Sequence, residues 1–194
     1  MKFKTFLAGC LGGLLSLNSC TNSPDMTDYA AYVNPFIGTG GHGHTFPGAI
    51  VPHGMISPSP DTRIDGWDAC SGYYYADSTI NGFSHTHLSG TGCCDYGDVL
   101  LMPTVGEQKY LPTGSQSQQM AYASAFSHQN ETAEPGYYSV FLDTYQVKAE
   151  LTASKRAAIH RYTFPESKEA GFILDLDYSL QRLSLIHISE PTRL

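Results

Sequence analysis

Between Tyr138 and Leu151, apolar residues fall on every second position: Tyr138, Val140 and Leu142, then Val147, Ala149 and Leu151. That period of two is the signature of half-buried β-strands. The four intervening residues, Asp143-Thr144-Tyr145-Gln146, are few enough to close a hairpin. Ala158–Phe164 and Gly171–Leu176 supply two further strands, with Pro165-Glu166-Ser167-Lys168 as the turn between them. Val99–Met102 reads as a short strand closed by Pro103. Nothing in the chain carries a helical repeat long enough to trust, and no internal repeat is visible. With 19 Gly, 11 Pro, 13 Tyr and only 15% charged residues, the composition suits a β-rich, loop-rich fold. The expected fold class is all-β, an antiparallel β-sandwich. A length of 194 residues is enough for one domain or slightly more.

Charge excludes one class of partner. Residues 21–181 hold 7 basic and 17 acidic groups. Binding to nucleic acid, or to an anionic membrane surface, calls for clustered Lys and Arg, so neither is expected.

Both ends read as additions to the fold. MKFKTFLAGCLGGLLSLNSC has two Lys, an apolar run from Phe6 to Leu17, and small or polar residues ending at Cys20. This is a secretory pattern, too short to span a bilayer. Leu17-Asn18-Ser19-Cys20 has the wording of a lipobox, which makes residues 1–20 a lipoprotein signal peptide and Cys20 the lipidated residue. Two acyl chains there would give a stable anchor where one is marginal. Residues 21–28 follow as a tether. At the other end, Leu183–Arg193 reads LSLIHISEPTR, the translation of a transposon-type sequencing adapter. Residues 182–194 are therefore set aside as a non-native tail, and the chain is expected to be truncated.

Residues 34–95 are dense in Gly and Pro and should form long ordered loops, while 114–119 is polar and expected to be exposed. Four loop motifs carry potential chemistry. The first, Asn34–Ala49, is rich in Gly with His42 and His44, and could bring backbone N–H groups close to a ligand. No Lys follows it and no helix opens after it, which argues against a phosphate loop. The second, Asp65-Gly66-Trp67-Asp68, brackets the only Trp of the chain with carboxylates. An indole packs against the C–H face of a sugar while carboxylates accept from its hydroxyls, so this motif suits a carbohydrate platform. A core Trp is the plainer alternative.

The third motif, Gly82–Gly92, holds His85 and His87 on one face of an extended strand. With His42, His44, Asp95 and Asp98 they could surround a metal, yet no complete ligand spacing is present, and hydrogen bonding is the preferred reading. The fourth is Cys70, Cys93 and Cys94. Adjacent Cα atoms sit too close for an unstrained bridge, so Cys70 would pair with one of the doublet and leave a free thiol.

The runs VNPFIGTGGHGHTFPGA, INGFSHTHLSGTGCCDYGDVLLMP and AEPGYYSVFLDTYQVKAELTASKRAAIHRYTFP occur here in one order across residues 29–181. They resemble the N-terminal domain of glycoside hydrolase family 92, bacterial exo-acting α-mannosidases. Small departures are the Cys93-Cys94 doublet and Glu134 in AEPGYY. The resemblance implies an N-terminal β-sandwich followed by an (α/α)6 barrel that is missing from this chain. It also implies Ca2+-dependent, inverting hydrolysis of terminal α-mannosides of glycans, of α-1,2 type. The family's acid and base, and most of its calcium ligands, belong to that barrel, so no catalytic or metal residue is assigned here. Asp175 and Asp177 are read as strand-end carboxylates. Matching motifs assign Trp67, Asp65, Asp68, His85 and His87 to substrate binding. The implied partners are mannose-containing glycans, the chain's own C-terminal barrel, and a membrane through the lipid anchor alone. The implied location is the bacterial cell envelope, periplasmic or at the outer-membrane surface. The alternatives are a free-standing carbohydrate-binding β-sandwich lipoprotein without catalysis and a His-rich metal-binding surface protein.

Overall fold

In the computed structural model, residues 27–109 and 119–180 are described. The signal peptide with Cys20, the first six tether residues, most of the 114–119 loop and the tail from 182 lie outside them. The chain divides into two units, Met1–Tyr32 and Val33–Leu194. Of the first, residues 27–32 form a single exposed 3₁₀ turn, Tyr29–Tyr32, opened by Asp28, whose carboxylate accepts from the Ala30 N–H at 3.0 Å.

Among its described residues, the second unit has nine strands: β1 Ser59–Asp61, β2 Thr79–Ile80, β3 Gly82–Ser84, β4 Leu100–Val105, β5 Ser124–Glu134, β6 Tyr137–Leu142, β7 Val147–Ala153, β8 Ala158–Thr163 and β9 Ala170–Asp175. They form two antiparallel sheets, ordered β1-β3-β4-β9 and β2-β5-β6-β7-β8. Phe83, Leu100, Met102 and Ile173 from the first sheet share one core with Ile80, Tyr138, Val140, Leu142, Val147, Ala149 and Leu151 from the second. The all-β sandwich is as the sequence implies. Each large aliphatic side chain buried there contributes about 1.5–3 kcal/mol.

The β6–β7 hairpin closes at the pair Leu142↔Val147, on the expected four-residue loop. Gln146 takes φ 55° and its amide donates to the Asp143 carbonyl at 2.7 Å. Glu150 of β7 accepts from Arg161 of β8 and Tyr137 of β6, a rung across three strands. The Arg161 hydrogen bonds, followed by that of Tyr137, hold its carboxyl down at about 2.

Four features differ from the sequence expectation. Residues 34–95, expected to be loops, also hold the short strands β1, β2 and β3, which pair with strands from elsewhere in the chain or with each other. The segment after β8 does not fold β9 back beside it: β8 ends the five-stranded sheet, and β9 pairs with β4 in the other. β4 does not close at Met102 but runs through Pro103 to Val105. β3 pairs with β4 only at Phe83↔Leu101, so beyond that point Pro103 needs to satisfy one neighbour, Phe172 of β9. Finally, β5 was not expected at all. Its ladder with β6 is interrupted between Phe126 and Glu131, where the residues between them bulge out against a single residue of β6.

The bulge sets Glu131 inside the protein. Its carboxylate accepts from the Tyr73 hydroxyl at 3.0 Å, the Tyr138 hydroxyl at 2.6 Å and His128 Nδ1 at 2.6 Å. Burial and the facing carboxylate push both tyrosines far above the usual phenol range. Through Tyr73, the five-stranded sheet holds the long segment 62–78 that connects β1 to β2. Among the described residues, no helix is long and apolar enough to cross a membrane.

Candidate functional site

That segment carries Trp67. Thr62 N–H donates to the Gly72 carbonyl at 2.8 Å, closing the segment at its neck, and Arg63 grips Asp77 through Nε at 2.7 Å. At the tip, Gly66 adopts φ 96°, which favours glycine, and turns the chain into the 3₁₀ turn Trp67–Ala69. Cys70 ends the turn and is bonded to Cys94, leaving Cys93 as an exposed thiol. The disulfide therefore fixes the base of the Trp67 turn to the 90–96 loop.

The Gly-rich loop packs against this turn. It folds back on itself through Thr45 N–H donating to the Gly38 carbonyl at 3.3 Å. A Cβ on Gly43 would overlap the Gly38 backbone, so only glycine fits there. Ser71 Oγ donates to the Thr45 carbonyl at 2.8 Å and ties loop to turn.

Trp67 is 58% exposed, so it is not a core Trp. The ring of His42 lies 5.1 Å from it and that of His44 4.4 Å, the latter edge-on at 69°. Asp68 accepts from His42 Nδ1 at 2.5 Å, which leaves His42 Nε2 facing solvent beside the indole. His44 is different: it is only 7% exposed, and neither ring nitrogen has a hydrogen-bond partner. Leaving a polar group in that state costs about 1–3 kcal/mol. Asp65 is exposed one residue before Gly66. Together these residues present an open aromatic face with hydrogen-bonding groups along one edge, an arrangement that fits a sugar ring.

The five residues assigned from the sequence separate into two places. Trp67, Asp68 and Asp65 come together at the turn. His85 and His87 make their contacts elsewhere. His85 donates through Nδ1 to the Val99 carbonyl at 2.5 Å and stacks on His160 at 4.7 Å. His87 is sealed in: Nδ1 donates to the Ser57 carbonyl at 2.7 Å, and Nε2 faces Asp61 at 2.7 Å and Ser84 at 2.9 Å. Both side chains of the His87–Asp61 pair are wholly buried. No ring nitrogen of His87 is left for a ligand.

His42 and His44 were legible in the sequence only as metal candidates. Their spacing around Gly43 in a Gly-rich loop was the available signal, but what they face is Trp67. Among the described residues, no group of three or more His, Cys, Asp or Glu side chains gathers as a metal would need. A cavity of about 500 Å³ lined by Phe46, Ile50, Met55, Ser89 and Tyr96 lies apart from Trp67.

Residues 32–192 match the glycosyl hydrolase family 92 N-terminal domain. The chain belongs to glycosyl hydrolase family 92. A family 92 α-mannosidase of Bacteroides thetaiotaomicron, solved in complex with mannoimidazole, is 47% identical, superposes with a TM-score of 0.74, and is matched over 78% of this chain and 20% of its own. A family 92 inverting mannosidase of the same organism, strain VPI-5482, is 35% identical with a TM-score of 0.63, over 75% of this chain and 19% of that one. An uncharacterized secreted glycosidase of Arthroderma benhamiae is 32% identical over 141 residues, 72% of this chain and 18% of that protein. The chain thus spans about a fifth of the length of these family 92 relatives.

Proposed function

We propose that this domain supplies one wall of the substrate site of an exo-α-mannosidase. The observation that carries the reading is the half-exposed Trp67, with His42, itself bonded to Asp68, and His44 both against its ring, in a family whose solved members include α-mannosidases. The indole would stack on the C–H face of a terminal mannose, with His42 Nε2 and Asp65 available to its hydroxyls.

Inverting hydrolysis uses an acid and a base on opposite sides of the sugar, about 6.5–9.5 Å apart. Asp65 and Asp68 come from one four-residue stretch and so lie on one side of a ring stacked on Trp67. Asp68 is also engaged by His42. The proposed acid and base are therefore residues beyond those described, as are the oxygens for a calcium ion on which turnover would depend. An α-1,2 preference, secretion and anchoring through Cys20 complete the proposal, the secretion supported by the secreted fungal relative.

Binding is testable on the chain as it stands. Trp67 is the only Trp, so emission excited at the red edge, where the 13 Tyr do not absorb, reports this residue alone. Titration with methyl α-mannoside should shift and saturate that emission, and methyl α-glucoside should do so more weakly. Equal response to both sugars, or to neither, would remove the reading.

A further inference from the structure

The cavity of about 500 Å³ lined by Phe46, Ile50 and Met55 shares no residue with the Trp67 face. Two of its other lining residues hold backbone conformations that their side chains disfavour, His53 at φ 57° and Tyr96 at φ 70°. Val51-Pro52-His53-Gly54 is a turn closed by the Gly54 N–H on the Val51 carbonyl at 3.0 Å. With Pro second and a positive φ third, that third place ordinarily goes to Gly or Asn. Here His takes it, and the glycine stands one residue later. Tyr96 repeats the pattern, since Gly97 follows it. Its N–H donates to the Asp95 carboxylate at 2.8 Å and its carbonyl accepts from the Leu180 N–H at 2.9 Å, which pins the strained residue. A residue that served only to turn the chain would be glycine at both places.

What the two side chains gain is not a bond within the protein. Among the described residues, none hydrogen-bonds to the His53 imidazole, the Tyr96 hydroxyl or the hydroxyl of Ser89, a third lining residue. Met55, 77% exposed, and Ile50 stand open beside them. His87 also lines the cavity, but its ring nitrogens are engaged by Ser57, Asp61 and Ser84. No Asp, Glu, Lys or Arg is among the lining residues. An anion would find no cation there, and a cation no carboxylate. The lining instead combines apolar surface with hydroxyl and imidazole groups that can both donate and accept. Its volume falls within the range of small-molecule sites, about 300–1,000 Å³. A neutral ring with many hydroxyls suits both surfaces, its C–H face against Met55, Ile50 and Tyr96 and its hydroxyls against His53 and Ser89.

We propose that this cavity is a second sugar-binding site, for a neutral oligosaccharide, with His53 and Tyr96 as its hydrogen-bonding residues. It uses none of the residues of the Trp67 face and goes beyond the mannoside reading without resting on it. The ligand is a chain of uncharged pyranose rings, whether part of a mannoside or of another glycan.

The test uses the 194-residue chain carrying Trp67→Ala, which removes the first face, in saturation-transfer NMR titrations with an α-mannotriose and with maltotriose. At least one trisaccharide should bind, mannotriose marking a mannoside as the source and maltotriose alone a different glycan. His53→Gly, added to that chain, should weaken binding about tenfold, the size of one neutral hydrogen bond. Its melting temperature should hold, because glycine relieves the positive φ. Tyr96→Asn, which also tolerates that backbone, should weaken the same trisaccharide. Binding that neither variant alters lies elsewhere and overturns the site, as does the failure of both trisaccharides to bind. Mannotriose that binds the wild type but not the Trp67→Ala chain overturns the cavity site and leaves the mannoside reading standing.

Discussion

The Tyr73 hydroxyl donates to the Glu131 carboxylate at 3.0 Å, joining residues 58 positions apart. One belongs to the segment that presents Trp67, the other to the bulged strand β5. The presentation of Trp67 therefore depends on a carboxylate in the opposite sheet.

Replacing Glu131 with Ala should be severe. The hydroxyls of Tyr73 and Tyr138 and the Nδ1 of His128 would lose their acceptor inside the protein. Breaking a buried charged network of this kind costs about 3–5 kcal/mol. Urea unfolding should show that loss, and Trp67 emission at zero urea should shift as its supporting segment loosens.

Trp67→Ala should do the reverse. With 58% of the residue exposed, its removal should cost about 1 kcal/mol or less, against the 3–5 kcal/mol typical of a core Trp. Calorimetric titration, which needs no fluorophore, should find methyl α-mannoside binding abolished or strongly weakened while the thermal transition barely moves.

The disulfide should matter and its neighbour should not. Cys70–Cys94 closes a loop of 24 residues that contains β2 and β3, for which chain-entropy arguments give about 3 kcal/mol. Cys70→Ser should lower the denaturation midpoint accordingly. Cys93→Ser removes an exposed thiol and should leave the midpoint unchanged.

His160 should shape the acid limb of stability. Burial, and then the stacked His85, push it down from 6.5 to about 4. Between these values the unfolded chain takes up a proton that the folded protein refuses. The stability present above pH 6.5 is therefore lost as pH falls, until about pH 4. His160→Gln should flatten this part of the profile, so that the difference in urea midpoint between variant and wild type changes between pH 7 and pH 4 and is constant above pH 7.

The strands that could be read from the sequence are those whose inward positions are all apolar. In β6 and β7 every inward residue from Tyr138 to Leu151 is buried, so the alternation survives intact. β5 hides because its inward positions are Ser124, Phe126 and Glu131, and a bulge breaks the period between the last two. A buried carboxylate reads as surface until its tyrosine partners are known. The same holds for His87, whose environment is set by Asp61 from a strand 26 residues away. Trp67 was legible because two Asp bracket it in a segment short of apolar company. The orphaned nitrogens of His44 were not, because burial without a partner leaves no trace in a sequence pattern.

The pairing of β9 with β4 has a consequence for how the domain is made. Met102 meets Ile173 only after the whole five-stranded sheet has been traversed in sequence. A ribosome therefore releases β1, β3 and β4 early but leaves the outer edge of β4 unpaired until β9 emerges, after all the strands of the opposite sheet. Such a long loop closure slows folding, and the open strand edge is a natural client for a holding chaperone during synthesis.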